Sequence, residues 1–254
     1  MVSLNARNMS SYNLPVKVTR LVALMICVAS LHICATAQSS NLRAGVAVHP
    51  VLTWFSTSSP DVERAQSQFG MQLAAVVEYK LGERIYLSSG MRFNINYGGS
   101  LTYARGGTFW PKSDLSDERF RTLPAGSTIA YNIQFVEVPL GLVYYTGEIG
   151  AGSTRAYIES PTLSLILSSR ARGESLLQGT GDQNILDDVR FLNFGLGFGA
   201  GIIPDWLGGT DVKLGLSYQT IFTDTLNDGV YDDGSREDSK AKLGVLSFKF
   251  VVLL

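Results

Sequence analysis

From Arg84 to Tyr97 the chain reads as one amphipathic β-strand, and that pattern limits what the rest can become. Ile85, Leu87, Met91, Phe93, Ile95 and Tyr97 share one parity, interrupted only by Ser89. Tyr86, Ser88, Gly90, Arg92, Asn94 and Asn96 share the other. Successive side chains of a strand point to opposite faces. One face is therefore large and apolar, and the other is polar with a glycine. Such a strand suits a soluble barrel with an oily interior or a membrane barrel with an oily exterior. The strand by itself does not choose between them.

The same alternation recurs along the chain. Leu42 to Val48 alternates and is followed by Pro50, where the strand is expected to end. Phe69 to Tyr79 alternates and is joined to the Arg84 strand by the tight turn Leu81-Gly82-Glu83. The stretch from Gly98 to Thr128 has no periodic pattern. In Ala130 to Tyr145 the apolar set changes parity after Phe135, which predicts a β-bulge there. Arg155 to Leu167 is the least regular run, with Pro161 in its middle. Phe191 to Ile202 sets Leu192, Phe194, Leu196, Phe198 and Ile202 against Asn193 and four glycines. That glycine face gives room to large side chains from other strands. Val212 to Phe222 and the C-terminal run complete about eight strands. Long polar segments alternate with short turns between them.

Charge settles the orientation. Arg43, Glu78, Arg92, Glu137, Lys213 and Lys249 lie within strands, opposite faces that are almost purely aliphatic and aromatic. The interior of an eight-stranded barrel holds only side chains or one small ligand. It would be overfilled by the apolar set. Placed inward, the charges can pair, as buried ions must. The expected fold is an all-β, closed, antiparallel, eight-stranded transmembrane up-and-down barrel, with long external loops and short periplasmic turns. The strands exceed the roughly 9–11 residues needed to cross a bilayer. Tyr79, Tyr97, Tyr131 and Tyr145 near strand ends are expected to form interfacial belts. Charged residues are 17% of the chain, against roughly 25% in average soluble domains. A net charge of -1 argues against a nucleic-acid partner.

The first 37 residues are expected to be removed. Lys17 and Arg20 precede an apolar run from Leu21 to Ile33, and Ala35-Thr36-Ala37 then supplies a small-x-small site. This is the layout of a secretory signal peptide with cleavage after Ala37, which leaves 38–254 as the barrel domain. An uncleaved anchor is the alternative. Both cysteines, Cys27 and Cys34, fall in the removed segment, so the mature chain has no disulfide and no thiolate metal ligand. Ile33 is too bulky for a lipoprotein site at Cys34.

Three segments carry a family resemblance: Phe135-Val-Glu-Val-Pro-Leu140, Asn193-Phe-Gly-Leu-Gly-Phe-Gly-Ala-Gly201 and the signal ending Ala37-Gln38. They resemble the PorT-like outer-membrane protein β-barrel (porin-type) family over most of the mature chain. The resemblance implies residence in the cell outer membrane and, for some members, a link to protein secretion. It implies outer-membrane lipid and the barrel-assembly machinery as partners, with secretion-system components as further candidates. The chain departs from the barrel pattern by ending in Leu254 rather than an aromatic residue.

The sequence holds no catalytic constellation, and neither an enzyme nor a cofactor is expected. His49, the one histidine of 38–254, has no Ser or carboxylate motif with it and reads as a polar residue at a strand end. The acidic stretch Asp224, Asp228, Asp232, Asp233, Glu237 and Asp238 lacks the spacing of a calcium loop and reads as a solvated loop. The glycine alternation of Gly195 to Gly201 is followed by no helix and is not a nucleotide fingerprint. Two function classes remain. One is an outer-membrane barrel with a structural, adhesive, accessory or secretion-linked role and at most a narrow pore. The other is an exported soluble lipocalin-like carrier with an apolar interior. A lipid-modifying enzyme using His49 is a weaker third.

Overall fold

The fold is that of a computed structural model, in which residues 41–149, 153–204 and 211–254 are described. The expected signal segment, its cleavage site after Ala37, both cysteines and Trp206 lie outside the described residues. Eight long strands make up the sheet: β1 (Leu42–Ser56), β2 (Gln68–Lys80), β3 (Ile85–Tyr103), β4 (Ser127–Glu148), β5 (Arg155–Ser175), β6 (Leu192–Ile203), β7 (Asp211–Ile221) and β8 (Lys242–Leu253). Each pairs antiparallel with its neighbours in sequence. β8 pairs back onto β1, with Val46 opposite Val252 and Leu52 opposite Leu246. The sheet is therefore an up-and-down barrel without a free edge, so ladder groups find partners without water.

The side-chain faces sort as charge predicts. Phe93, Phe194 and Phe248 are 48%, 43% and 56% exposed on the outer wall. Around them stand Val46, Met71, Leu73, Leu140, Leu163, Leu196, Leu216 and Phe250, all exposed. A soluble domain rarely shows contiguous apolar surface beyond a few hundred Å². A continuous belt of this kind is matched by hydrocarbon, and a soluble carrier with an oily interior does not fit it.

Long connections at 57–67, 104–126, 176–191 and 222–241 gather at one end of the barrel, and the chain turns back at the other through shorter links such as 81–84. The long connections are not structureless. Val62–Gln66 adds a short strand beside β3. Gly107–Thr108 pairs with both Thr122–Leu123 and Val230–Tyr231, so two loops share a small sheet. The pattern missing between Gly98 and Thr128 is thus partly strand: β3 runs on to Tyr103 and β4 starts at Ser127.

Four local expectations are corrected. β1 does not stop at Pro50 but continues to Ser56. The pairing with β8 lapses only at His49 and Pro50, between Val48 opposite Phe250 and Val51 opposite Ser247. The missing proline N–H falls in that gap. Tyr97 is fully buried rather than outward. Asn96 adopts φ +62, and the register with β4 shifts between Asn94 and Tyr97. One extra residue flips the faces, so Tyr97 turns inward while Ile95 stays outside. Tyr131 and Tyr145 are also buried, at 2% and 4% exposure, and only Tyr79 of the expected belt faces out. Finally, the bulge read near Phe135 lies at that level but in the other strand. Gln134 pairs with Arg170 and Phe135 with Ser168, which leaves Ser169 of β5 over. β4 keeps its parity: Tyr131, Ile133, Phe135 and Glu137 all point inward. The apparent switch in sequence is a change in what the interior contains.

Leu140 stands at mid-wall, 52% exposed. Leu140→Arg is expected to cost about 2–4 kcal/mol of folding stability in a bilayer. Urea titration of refolding into phosphatidylcholine vesicles measures it, and an unchanged midpoint would contradict the outward assignment.

Candidate functional site

The interior of the barrel has two levels. At the short-turn half it is ionic. Arg43 on β1 reaches Glu78 on β2 at 2.8 Å and Asp211 on β7 at 2.9 Å. Asp211 also holds Arg155 of β5 at 2.5 Å. Lys213 of β7 pairs with Glu78, and Tyr145 donates its hydroxyl to Glu78 at 2.6 Å. The Arg43 guanidinium lies 4.1 Å from the Tyr86 ring centre, and the Lys213 ammonium lies 4.7 Å from that of Tyr145. Such cation–ring contacts add attraction where water is scarce.

A second cluster sits deeper. Lys249 of β8 pairs across the lumen with Glu159 of β5. Arg92 of β3 meets Glu137 of β4 at 3.0 Å. Glu137 is fully buried and also accepts from Asn94 and Gln219, each at 2.8 Å. Gln219 donates further to Ser164 at 3.0 Å. His49, 2% exposed, lies inside β1 rather than at its end. Its Nδ1 is 2.6 Å from the side-chain oxygen of Gln72. Gln72 donates onward to Asn94 at 2.8 Å.

All six charges expected in the lumen lie inside: Arg43, Glu78, Arg92, Glu137, Lys213 and Lys249. They do not suffice to pair one another. Glu159, Arg155 and Asp211 complete the set, and the sequence reading missed all three. Glu159 was hidden by the irregular parity of β5, where the register with β6 shifts between Gly197 and Gly199. Asp211 and Arg155 sit at strand beginnings, where position alone does not tell a lumen charge from a loop charge. The glycine face of β6 admits Glu159 and the Tyr157 ring. A Cβ on Gly199 would come within 2.8 Å of a Glu159 carboxylate oxygen, and one on Gly201 within 2.7 Å of the Tyr157 ring.

What space remains among the charges is small. A cavity of about 30 Å³ is bounded by His49, Glu78, Arg92, Glu159, Lys213 and Lys249. Another of about 20 Å³ lies by Gln72, Ser164 and Gln219. One water occupies about 10–15 Å³ on this measure, so these spaces suit single waters, not a hydrated ion.

Toward the long loops the interior becomes apolar. Phe55, Tyr97, Leu101, Tyr103, Tyr131, Ile133 and Phe135 point inward from the strands, and Phe109, Trp110, Leu123, Ile185 and Val189 descend from the loops into one buried cluster. Trp110 lies against Gly173, where a Cβ would come within 2.7 Å of the indole. The Asp188 carboxylate accepts from the backbone N–H of Lys112 and Ser113, at 3.1 and 2.9 Å, tying two loops together. The acidic stretch is locally engaged rather than merely solvated. Asp224 accepts from Ala241 N–H at 2.9 Å, Asp228 pairs with Arg236, and Asp233 pairs with Arg105. Burial pushes the carboxyls of Asp188, Asp224 and Glu237 above their ordinary values, outweighing the hydrogen bonds and cations that oppose it.

A family profile described as "Outer membrane protein beta-barrel domain" matches residues 36–227. No curated protein sequence is significantly similar to the chain. Among solved structures, the chain is similar to Neisserial surface protein A at 14% identity, covering 82% of this chain and 97% of that one, with a TM-score of 0.37. Similarity to Ail, the attachment invasion locus protein of Yersinia pestis, is 11% over 84% and 99%, with a TM-score of 0.38. Similarity to the outer membrane protease OmpT from Escherichia coli is 12% over 85% and 96%, with a TM-score of 0.33.

Removing one member of a buried pair strands the other. Glu159→Ala is expected to lower stability by about 3–5 kcal/mol, with the Glu159→Met, Lys249→Met double variant recovering most of it. Heat-dependent gel mobility and denaturant titration of the refolded barrel read both. For the loops, each raised carboxyl holds its proton more tightly folded than unfolded. The contribution of these three groups to loop stability therefore rises as pH falls through the folded values and stops rising below the ordinary carboxyl range. Among the described loop carboxyls it is opposed only by the solvated Asp117, Glu118 and Asp233, whose hydrogen bonds hold them low. Hydrogen exchange at 106–124 and 224–241, corrected for intrinsic rate, should show greater protection at the acid end.

Proposed function

We propose, from the premise that this chain belongs to the outer membrane protein beta-barrel domain family and resides in the outer membrane, that it works as a sealed barrel presenting a rigid loop platform outside the cell. The carrying observation is the filled interior. Five cations and four carboxylates interlock across the lumen, and the long-loop end is packed by Trp110, Phe109 and Tyr131. A porin needs a wetted path, and this interior leaves water-sized spaces instead. The ordered loops are the part of the molecule free to meet a partner.

Within the family we place the chain with the PorT-like barrels, in an accessory or secretion-linked role. The two internal segments that carry this resemblance both serve the lumen. Phe135–Leu140 delivers Glu137, and Asn193–Gly201 delivers the glycines that admit Tyr157 and Glu159. Outer-membrane lipid surrounds the wall, the barrel-assembly machinery inserts it, and secretion-system components are the partners proposed for the loops. We assign no enzymatic role. His49 is enclosed in the lumen with Gln72 as its bonded partner, away from the lipid and loop surfaces where a substrate would arrive.

Planar-bilayer recording of the refolded barrel tests this. The expected trace shows no steady single-channel current in either polarity. A stable open level resolved for seconds would overturn the sealed reading.

A further inference from the structure

One groove in the outer wall crosses the border between the apolar belt and the loops. It is open along its length, with a volume of about 960 Å³. Its floor is a cross-strand row: Leu167 of β5 pairs with Val136 of β4 on one side and with Leu192 of β6 on the other. This row is continuous with the wall that meets hydrocarbon. Its mouth is formed by Asp187, Arg190 and Asn227.

The groove exists because of the Ser169 bulge. One residue of β5 is left out of the ladder with β4, and the next outward position beyond Leu167 becomes Arg170, opposite Gln134. Arg190 lies two residues before Leu192, ahead of the strand, with its side chain 47% exposed. Arg190 thus lines the mouth beside this apolar row, and Arg170 flanks the groove at the next ladder position of β5, opposite Gln134. Arg170 is exposed and makes no ion pair among the described residues. Arg190 pairs with Asp224 at 3.3 Å, and exposed Asp187 is the one other acid at the mouth.

The walls are held open by their own hydrogen bonds. The Ser168 hydroxyl donates to the Arg190 carbonyl at 2.6 Å, and the Ser169 hydroxyl to that of Gln134 at 3.1 Å. Arg190 N–H donates to Thr225 at 2.9 Å, and Asn227 N–H to Asp188 at 2.8 Å. A groove fixed in this way does not collapse, and its oily floor faces the bilayer. An acyl chain fits the floor, and an anionic head fits the mouth.

We propose that this groove binds one lipid of the outer leaflet whose phosphate-bearing head is net anionic. Its chain lies along Val136, Leu167 and Leu192, and its phosphate sits between Arg170 and Arg190. The proposal rests on the lipid-facing wall and not on the sealed-barrel reading, so an open channel would leave it standing.

Native mass spectrometry of the full barrel in non-ionic detergent, with equimolar phosphatidylglycerol and phosphatidylcholine, is the test. The expected result is a retained phosphatidylglycerol adduct, with Arg170→Ala and Arg190→Ala each reducing the preference by about five-fold. Arg64→Ala, an exposed arginine beside β3, should leave the preference intact. Leu167→Trp, which fills the floor, should lower binding of both lipids. Equal retention of the two lipids, or a preference surviving both arginine substitutions, would overturn the proposal. Displacement of the adduct by millimolar inorganic phosphate would also overturn it, by showing a free-anion site. Heat-dependent gel mobility confirms that each variant is folded.

Discussion

The governing constraint is the exclusion of water from both sides of the wall. Outside, hydrocarbon accepts neither charge nor unpaired backbone. Inside, the lumen is too narrow for bulk solvent. Every ion that a strand turns inward must therefore find its counter-ion in the lumen, and finds it across strands. Glu78 answers both Arg43 and Lys213, and Asp211 answers both Arg43 and Arg155. These links join β1, β2, β5 and β7, strands that are not all neighbours in the ladder. The ionic network thus works as a set of cross-braces within the cylinder. Replacing such a network with fitted apolar groups need not weaken a fold. Its worth here lies in specifying which wall face turns inward.

The second determinant is where register breaks. A regular strand holds one parity from end to end, so its inner face keeps one column of residues. This barrel needs an ionic lower interior and an apolar upper one while the part of its outer face that meets hydrocarbon stays oily. β4 achieves this with composition alone, running from Glu137 to Phe135, Ile133 and Tyr131 without a shift. β3 and β5 use bulges, at Asn96 and Ser169. In β3 the bulge turns Tyr97 and Leu101 into the upper core, and in β5 it turns Ala171 into the same core and Gly173 against Trp110. The small residues there leave the volume that the loop tryptophan fills.

These devices explain what could and could not be read from residue order. The strand count, the antiparallel ring and the outward Leu and Phe faces follow from period-two alternation, because one hydrocarbon-facing column tolerates few exceptions. Arg92 and Glu137 were legible because charge inside an otherwise apolar run has one place to go. Glu159 was not, because Pro161 and a shifted register blur the parity around it. Tyr97 and Tyr131 were misplaced for a related reason. An aromatic near a strand end suits an interfacial belt and an interior core equally, and only the bulge decides. The loop core was invisible because Phe109-Trp110, Leu123 and Ile185-Leu186 lie far apart in otherwise polar segments and meet only in three dimensions.

A filled barrel places its function at its surfaces. The short-turn end presents small links, and the mid-wall contacts lipid that offers little to distinguish one position from another. The loop end differs from both. Its small shared sheet, its carboxylates bonded to backbone N–H groups and its common core with the strands make it continuous with the barrel. Ordering these loops in advance removes the conformational cost of ordering them at an encounter. A plain plug would need no such external order, since the Glu78, Glu137 and Glu159 networks already occupy the lumen below. The loops are built beyond what sealing requires, and that excess order is the feature that favours a partner-facing platform over an inert stopper.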